Sequence, residues 1–169
     1  MKLSKKEVIE YINCMLLSDI KQMHLNFSEK ITIIFEIAMI FFHLHDKGYV
    51  YHDLKPNNSI INENKNAVLF DLDRMINVSE LKSIRTADFG SKYVAPEVNN
   101  GAISYENDVY SICQLIYFII NEKDPKPDDC ILHDNHEYSE FCFSIQFIYN
   151  KCAKAQLSQR PSIYVIKSW

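Results

Sequence analysis

Tyr51-His52-Asp53-Leu54-Lys55-Pro56-Asn57-Asn58, followed in sequence by Asp71-Leu72-Asp73, is the stretch on which the reading of this chain turns. It lies between two different hydrophobic patterns. Upstream, Asn26-Phe27-Ser28-Glu29 has the form of a helix cap with a Glu three residues on, and apolar residues recur at Ile31, Ile34, Phe35, Ala38, Phe41 and Phe42. Ile33, Ile37, Ile40 and Leu44 fill the neighbouring stripe, so the spacing predicts a helix ending near Gly48, apolar over most of its circumference and buried. Downstream, Ser59-Ile60-Ile61 and Ala67-Val68-Leu69-Phe70 flank the turn-forming Asn62-Glu63-Asn64-Lys65-Asn66, which predicts a small hairpin. A loop bearing carboxylates, a lysine and an asparagine is thus held between packed elements. That donor set suits transfer of a metal-bound phosphoryl group. One Asp can orient an attacking hydroxyl, Lys can offset charge on the moving group, and Asn with the second Asp can hold Mg²⁺ through hard oxygen ligands.

Further along, the segment from Asp71 to Glu97 has no sustained periodicity and is long for a connection, as functional loops often are. After Asp108, a residue able to cap, the apolar positions Val109, Ile112, Cys113, Leu115, Ile116, Ile119 and Ile120 predict a second buried helix. Asp124-Pro125-Lys126-Pro127-Asp128-Asp129 ends it. Phe141 to Cys152 reads as helical, and Arg160-Pro161-Ser162 starts a last short helix. His43 and His45 fall near the end of the first helix and are expected to be packed or hydrogen-bonded rather than metal ligands.

With 169 residues, 47% hydrophobic and 24% charged, the chain can build one core but not two comfortable ones. A formal net charge of -4 offers no basic surplus for nucleic acid or an anionic membrane, and neither is expected as a partner. The five cysteines, Cys14, Cys113, Cys130, Cys142 and Cys152, include no C-x-x-C pair and are expected to be reduced and mostly buried. Glu7 and Glu10 interrupt any signal-type apolar run, and Glu36 interrupts the run from Ile31 to Leu44, which is shorter than the roughly 20 residues of a spanning helix. A cytosolic or nuclear protein is expected.

The segment 51–58 resembles the catalytic loop H-R-D-L-K-x-x-N of eukaryotic-type protein kinases, and Asp71-Leu72-Asp73 resembles their D-F-G metal motif. Asp53 and Asn58 stand five apart, as the motif requires. Ala95-Pro96-Glu97 resembles A-P-E, Asp108-Val109-Tyr110-Ser111 resembles the start of the family's central helix, and Arg160 stands where an arginine pairs with the A-P-E glutamate. Each is a weak signal alone; their order carries the resemblance. Asp88-Phe89-Gly90 spells D-F-G literally, yet it lies nine residues before Glu97 and follows no strand. Gly90-Ser91 reads instead as the turn ahead of A-P-E, with Ser91 approaching the catalytic Asp.

The resemblance implies a mainly α fold, the C-terminal lobe of a protein kinase: a helical bundle with a small β-hairpin carrying the catalytic and metal loops. It implies a single partial kinase domain over 1–169, with the hinge at about 8–14, the catalytic loop at 51–58, the activation segment at 71–97 and helices over 108–169. No Gly-rich loop or V-A-I-K lysine precedes Val8-Ile9-Glu10-Tyr11-Ile12, so the small lobe is expected to be missing. ATP and Mg²⁺ are the implied cofactors. Asp53 would be the catalytic base and Lys55 would steady the γ-phosphate; Glu10 and Ile12 would grip adenine; Asn58 and Asp71 would hold the metal; Glu97, Asp108 and Arg160 would be structural. Lys55-Pro56 favours serine/threonine over tyrosine in a protein substrate, and regulatory protein partners are possible.

Departures from the pattern leave other readings open. His52 replaces the arginine that binds a phosphorylated activation segment and could do so only when protonated; Tyr51 replaces a packing histidine. Asp73 replaces the glycine suited to positive φ. A catalytically dead pseudokinase or scaffold is one alternative. A choline-kinase or aminoglycoside-type phosphotransferase is another, matching Asp71-Leu72-Asp73 but lacking counterparts of Glu97, Asp108 and Arg160.

Overall fold

The computed structural model describes residues 14–83, 91–126, 139–153 and 156–167. In chain order these form β1 (Cys14–Leu16), α1 (Ile20–Met23), α2 (Phe27–Asp46), β2 (Tyr49–Val50), β3 (Ser59–Asn62), β4 (Ala67–Leu69), β5 (Ile76–Asn77), α3 (Tyr105–Asn121), α4 (Ser139–Cys152) and α5 (Ile163–Lys167). Short 3₁₀ turns link them. The fold is mainly helical with small sheets. None of the described helices is long and apolar enough to cross a membrane.

Helix α2 begins where the sequence places it. The Asn26 side chain accepts the Glu29 N–H and the Glu29 carboxylate accepts the Asn26 N–H, both at 2.9 Å, so two donors at the helix start are satisfied reciprocally. Past its end, Gly48 takes φ +80°, a conformation that would strain any side-chain-bearing residue, and its carbonyl receives Val78 N–H at 2.9 Å. The helix is less enclosed than expected. Ile33, Ile37, Ala38, Phe41 and His45 form the buried face, whereas Phe35 is 56% exposed. The helix has more apolar surface than the body it leans on, namely α3 and α5, can cover.

The second long helix starts earlier than expected. Ser104 is its N-cap residue, with Ser104 N–H donating to the Asn107 side-chain oxygen at 2.7 Å, so Asn107 does the local work and Asp108 does not cap. Asp108 lies inside α3 and is fully buried. Nearly every residue from Asn107 to Ile119 is buried, which makes α3 the centre of the core, packed by α2 on one side and α4 on another.

The expected hairpin is present, with Ser59 opposite Leu69 and Ile61 opposite Ala67. Asn62 closes its turn by accepting the N–H groups of Asn64 and Asn66 at 3.0 and 2.9 Å. Two pairings have no counterpart in the sequence reading. β1 adds a third antiparallel strand, Cys14 opposite Asn62, and β2 pairs with β5, Tyr49 opposite Asn77. Strands of two or three residues are too short to show a period. Cys14, Cys113 and Cys152 are free thiols, the last two buried.

Candidate active site

The loop 51–58 leaves β2 and enters β3, and each of these strands is tied to the segment that carries Asp71. On the β3 side, Phe70 N–H donates to the Asn58 carbonyl at 3.1 Å, one step beyond the Ser59–Leu69 pair, so Asp71 follows directly after Asn58's partner. On the β2 side, Val50 faces Ile76. Between them the fully buried Tyr51 donates its hydroxyl to the Phe70 carbonyl while its ring meets Phe41 edge-on at 5.8 Å. Burial first, and then the negative charges of Asp53, Asp71 and Asp108, hold the Tyr51 phenol well above its ordinary range. It remains a neutral donor, and both Asp53 and Asp71 lie within electrostatic reach of it.

The loop is pinned from beneath by Asp108. Its carboxylate accepts the N–H groups of Tyr51 and His52, each at 2.9 Å, and lies 2.9 Å from His45 Nε2. That support holds a strained turn, since His52 has φ +70°. Asp71 is the second left-handed residue here, at φ +64°. Position 73, expected to need positive φ, sits instead in the 3₁₀ turn Leu72–Arg74. The sharp bend comes immediately after the strand, two residues earlier than the motif suggested.

Asp53 is 6% exposed, and its carboxylate is held by three groups. Lys55 Nζ is 2.9 Å from both oxygens, Asn58 Nδ2 donates to Oδ2 at 2.8 Å and to the Asp53 carbonyl at 3.0 Å, and Arg74 Nε stands 4.0 Å away. The imidazole of His52 is held below its ordinary range, first by burial, with Arg74 adding to the lowering against the opposing charges of Asp108 and Asp53. At neutral pH it carries no charge and cannot replace an arginine as a phosphate partner.

With its amide nitrogen committed to Asp53, Asn58 has its side-chain oxygen left as a ligand atom, and the backbone bond from Phe70 to the Asn58 carbonyl sets Asp71 one residue beyond that pairing. Among the described residues no group of three or more His, Cys, Asp or Glu could hold a metal alone. An amide oxygen and a carboxylate fit a hard cation that takes its other ligands from phosphate and water, as Mg²⁺ does.

Away from the loop, Glu97 receives both guanidinium nitrogens of Arg160, NH2 to Oε2 at 3.0 Å, together with Asn107 Nδ2 at 2.6 Å. Arg160 also reaches the Glu106 carbonyl at 3.2 Å and lies over the Tyr110 ring at 4.9 Å. Burial alone would raise the Glu97 carboxyl, but Arg160 and Asn107 hold it below the usual carboxylate range. Ser91 accepts Tyr93 N–H at 3.3 Å and lines the same groove as Lys55. Glu10, Ile12 and Asp88-Phe89-Gly90 lie outside the described residues. A groove of about 590 Å³ opens beside Lys55-Pro56-Asn57 rather than around Asp53 itself, and sequence reasoning found no trace of it because its walls come from four separate segments.

A family model described as the protein kinase domain matches residues 6–166. The chain belongs to the protein kinase family. Its curated relatives include the membrane-associated tyrosine- and threonine-specific cdc2-inhibitory kinase wee-1.3 of Caenorhabditis briggsae, 35% identical over 71 residues, 41% of this chain and 11% of that protein. Rhodopsin kinase GRK7 of Ictidomys tridecemlineatus is 33% identical over 88 residues, 51% of this chain and 16% of the relative. G protein-coupled receptor kinase 2 of Drosophila melanogaster is 31% identical over 91 residues, 53% of this kinase chain and 13% of the relative. The protein kinase chain thus covers 11% to 16% of the length of these relatives.

Proposed function

We infer that this chain forms the C-terminal lobe of a protein kinase that transfers the γ-phosphate of ATP to serine or threonine hydroxyls of protein substrates, in the cytosol or nucleus. The observation that carries the reading is the buried Asp53 carboxylate, held by Lys55 and Asn58 on a loop whose strand pairing brings Asp71 alongside. Asp53 accepts the hydrogen bond of the incoming hydroxyl, orients it, and takes its proton as the phosphoryl group moves. Lys55, already at the Asp53 oxygens, swings between that carboxylate and the γ-phosphate and offsets its charge. Asn58 and Asp71 would hold Mg²⁺, which would supply positive charge against the transferring phosphate. Lys55-Pro56 supports a serine or threonine acceptor.

A scaffold without transfer draws support from the ion pairs that occupy Asp53 and from Asp73 in the metal motif. Phosphate transfer to a serine peptide by the full-length protein separates the two. Asp53→Asn should lower the rate about 10²- to 10⁴-fold with the fold intact by circular dichroism. An unchanged rate would remove Asp53 from the chemistry.

A further inference from the structure

The groove beside the catalytic loop runs between the 18–22 segment and residues 122–124, just past the end of α3, with Tyr93 on a third side. Its charges are unevenly committed. Glu122 is held by Lys30 at 2.7 Å, and Lys30, only 12% exposed at its side chain, also donates to the Ile120 carbonyl at 3.3 Å. Asp124 takes Lys92 Nζ at 3.0 Å and the Tyr93 hydroxyl at 2.8 Å. Lys55 is bound to Asp53. Lys21 and Lys123 line the same groove and have no acidic partner among the described residues; Lys123 only overlies the Tyr117 ring at 5.7 Å. Asp19 is the one groove carboxylate in that condition.

Among the described residues the groove is thus lined by two uncommitted ammonium groups and one uncommitted carboxylate, in a chain whose net charge is -4. A basic segment entering the groove would meet Glu122 and Asp124 already satisfied. To pair with Glu122 it would have to evict a nearly buried lysine that also holds a backbone carbonyl. A carboxylate entering the groove displaces no ion pair among the described residues and meets two cations against the single carboxylate of Asp19. Charge placement of this kind selects partners by repelling or failing to satisfy the wrong ones as much as by attracting the right one.

We propose that this groove takes an acidic segment of the protein substrate, with Asp or Glu side chains flanking the acceptor hydroxyl, and that Lys21 and Lys123 determine that preference. The inference rests on the phosphotransferase reading of the neighbouring Asp53, and the test separates the two. Two dye-labelled peptides share one serine, flanked in one by Asp and Glu and in the other by Arg and Lys, and fluorescence anisotropy measures their binding to the full-length protein at low and high salt. The acidic peptide binds more tightly, and raising the salt narrows the gap. Lys21→Glu with Lys123→Glu weakens the acidic peptide about tenfold, while Lys21→Arg with Lys123→Arg keeps the preference and both variants melt as the parent does. Tighter binding of the basic peptide, equal binding, no binding of either, or an acidic preference that survives charge reversal overturns the proposal. If the preference is absent while transfer still depends on Asp53, only the groove assignment fails. If acidic peptides bind through Lys21 and Lys123 but Asp53→Asn leaves transfer intact, only the catalytic reading fails.

Discussion

Asp108 and Asp53 are both buried carboxylates on either side of one turn, and they are held in opposite ways. Asp108 spends its oxygens on two backbone N–H groups and a histidine from α2, all rigidly mounted. Asp53 is held by side chains, chiefly a lysine whose own side chain is 32% exposed. Backbone donors cannot leave without unfolding the loop, whereas an ammonium on a flexible stem can turn to a phosphate and return. If Asp53 is the catalytic carboxylate, as proposed, the difference separates a carboxylate that builds from one that works by the mobility of its partners, since the burial of the two is nearly the same. Glu97 belongs with Asp108, because its partner Arg160 has a fully buried side chain.

The comparison breaks most easily at the rigid end. Arg160→Ala should cost about 3–5 kcal/mol of folding stability, because it strands the Glu97 carboxylate in a partly buried site; urea unfolding measures it. A loss below 1 kcal/mol would show that the pair is only decorative. Asp108→Asn keeps one acceptor and loses the charge-assisted bonds, with an expected cost of about 1–3 kcal/mol. It should also slow phosphate transfer, since the strained turn at His52 loses its support. Amide exchange at Tyr51 and His52 checks that route, and unchanged protection there would refute it.

At the working end, Asp53→Asn should change stability by less than about 1 kcal/mol, in contrast to its effect on rate. Equal destabilisation by Asp53→Asn and Asp108→Asn in matched melts would erase the distinction between the two carboxylates. The smallest effect concerns pH. His52 has a lowered value in the fold, so the unfolded chain binds the proton first as pH falls below about 6.5. Stability should decline from there toward the depressed folded value. Glu97 is also lowered, so its contribution is complete above the ordinary carboxylate value and is lost as pH falls through the folded one. A melting profile should therefore sag in two steps on acidification, with His52→Gln removing the upper one.

Much of the fold was legible because it rests on local rules. The cap at Asn26 and Glu29, the helix end at Gly48 and the hairpin around Asn62 each follow from neighbours in sequence. Of the candidate site, the residue types and their order were legible, and so were Asp53, Lys55 and Asn58 as one cluster, because they lie within six positions of one another. Asp108 was misread in its local role, since its hydrogen-bond partners lie 56 to 63 residues away. The left-handed residue of this segment is Asp71 rather than Asp73, which replaces the motif's glycine; the backbone there follows the end of β4 and the bond from Tyr51, neither of which a motif encodes.

Sequence alone determined that a loop rich in oxygen donors sits between a capped helix and a hairpin, since capping, periodicity and turn chemistry act over a few residues. Only the tertiary structure decided which carboxylates are held by backbone donors and which by side chains, and where two lysines stand without acidic partners among the described residues. Those properties depend on burial and on distances between segments far apart in the chain, which no local pattern carries.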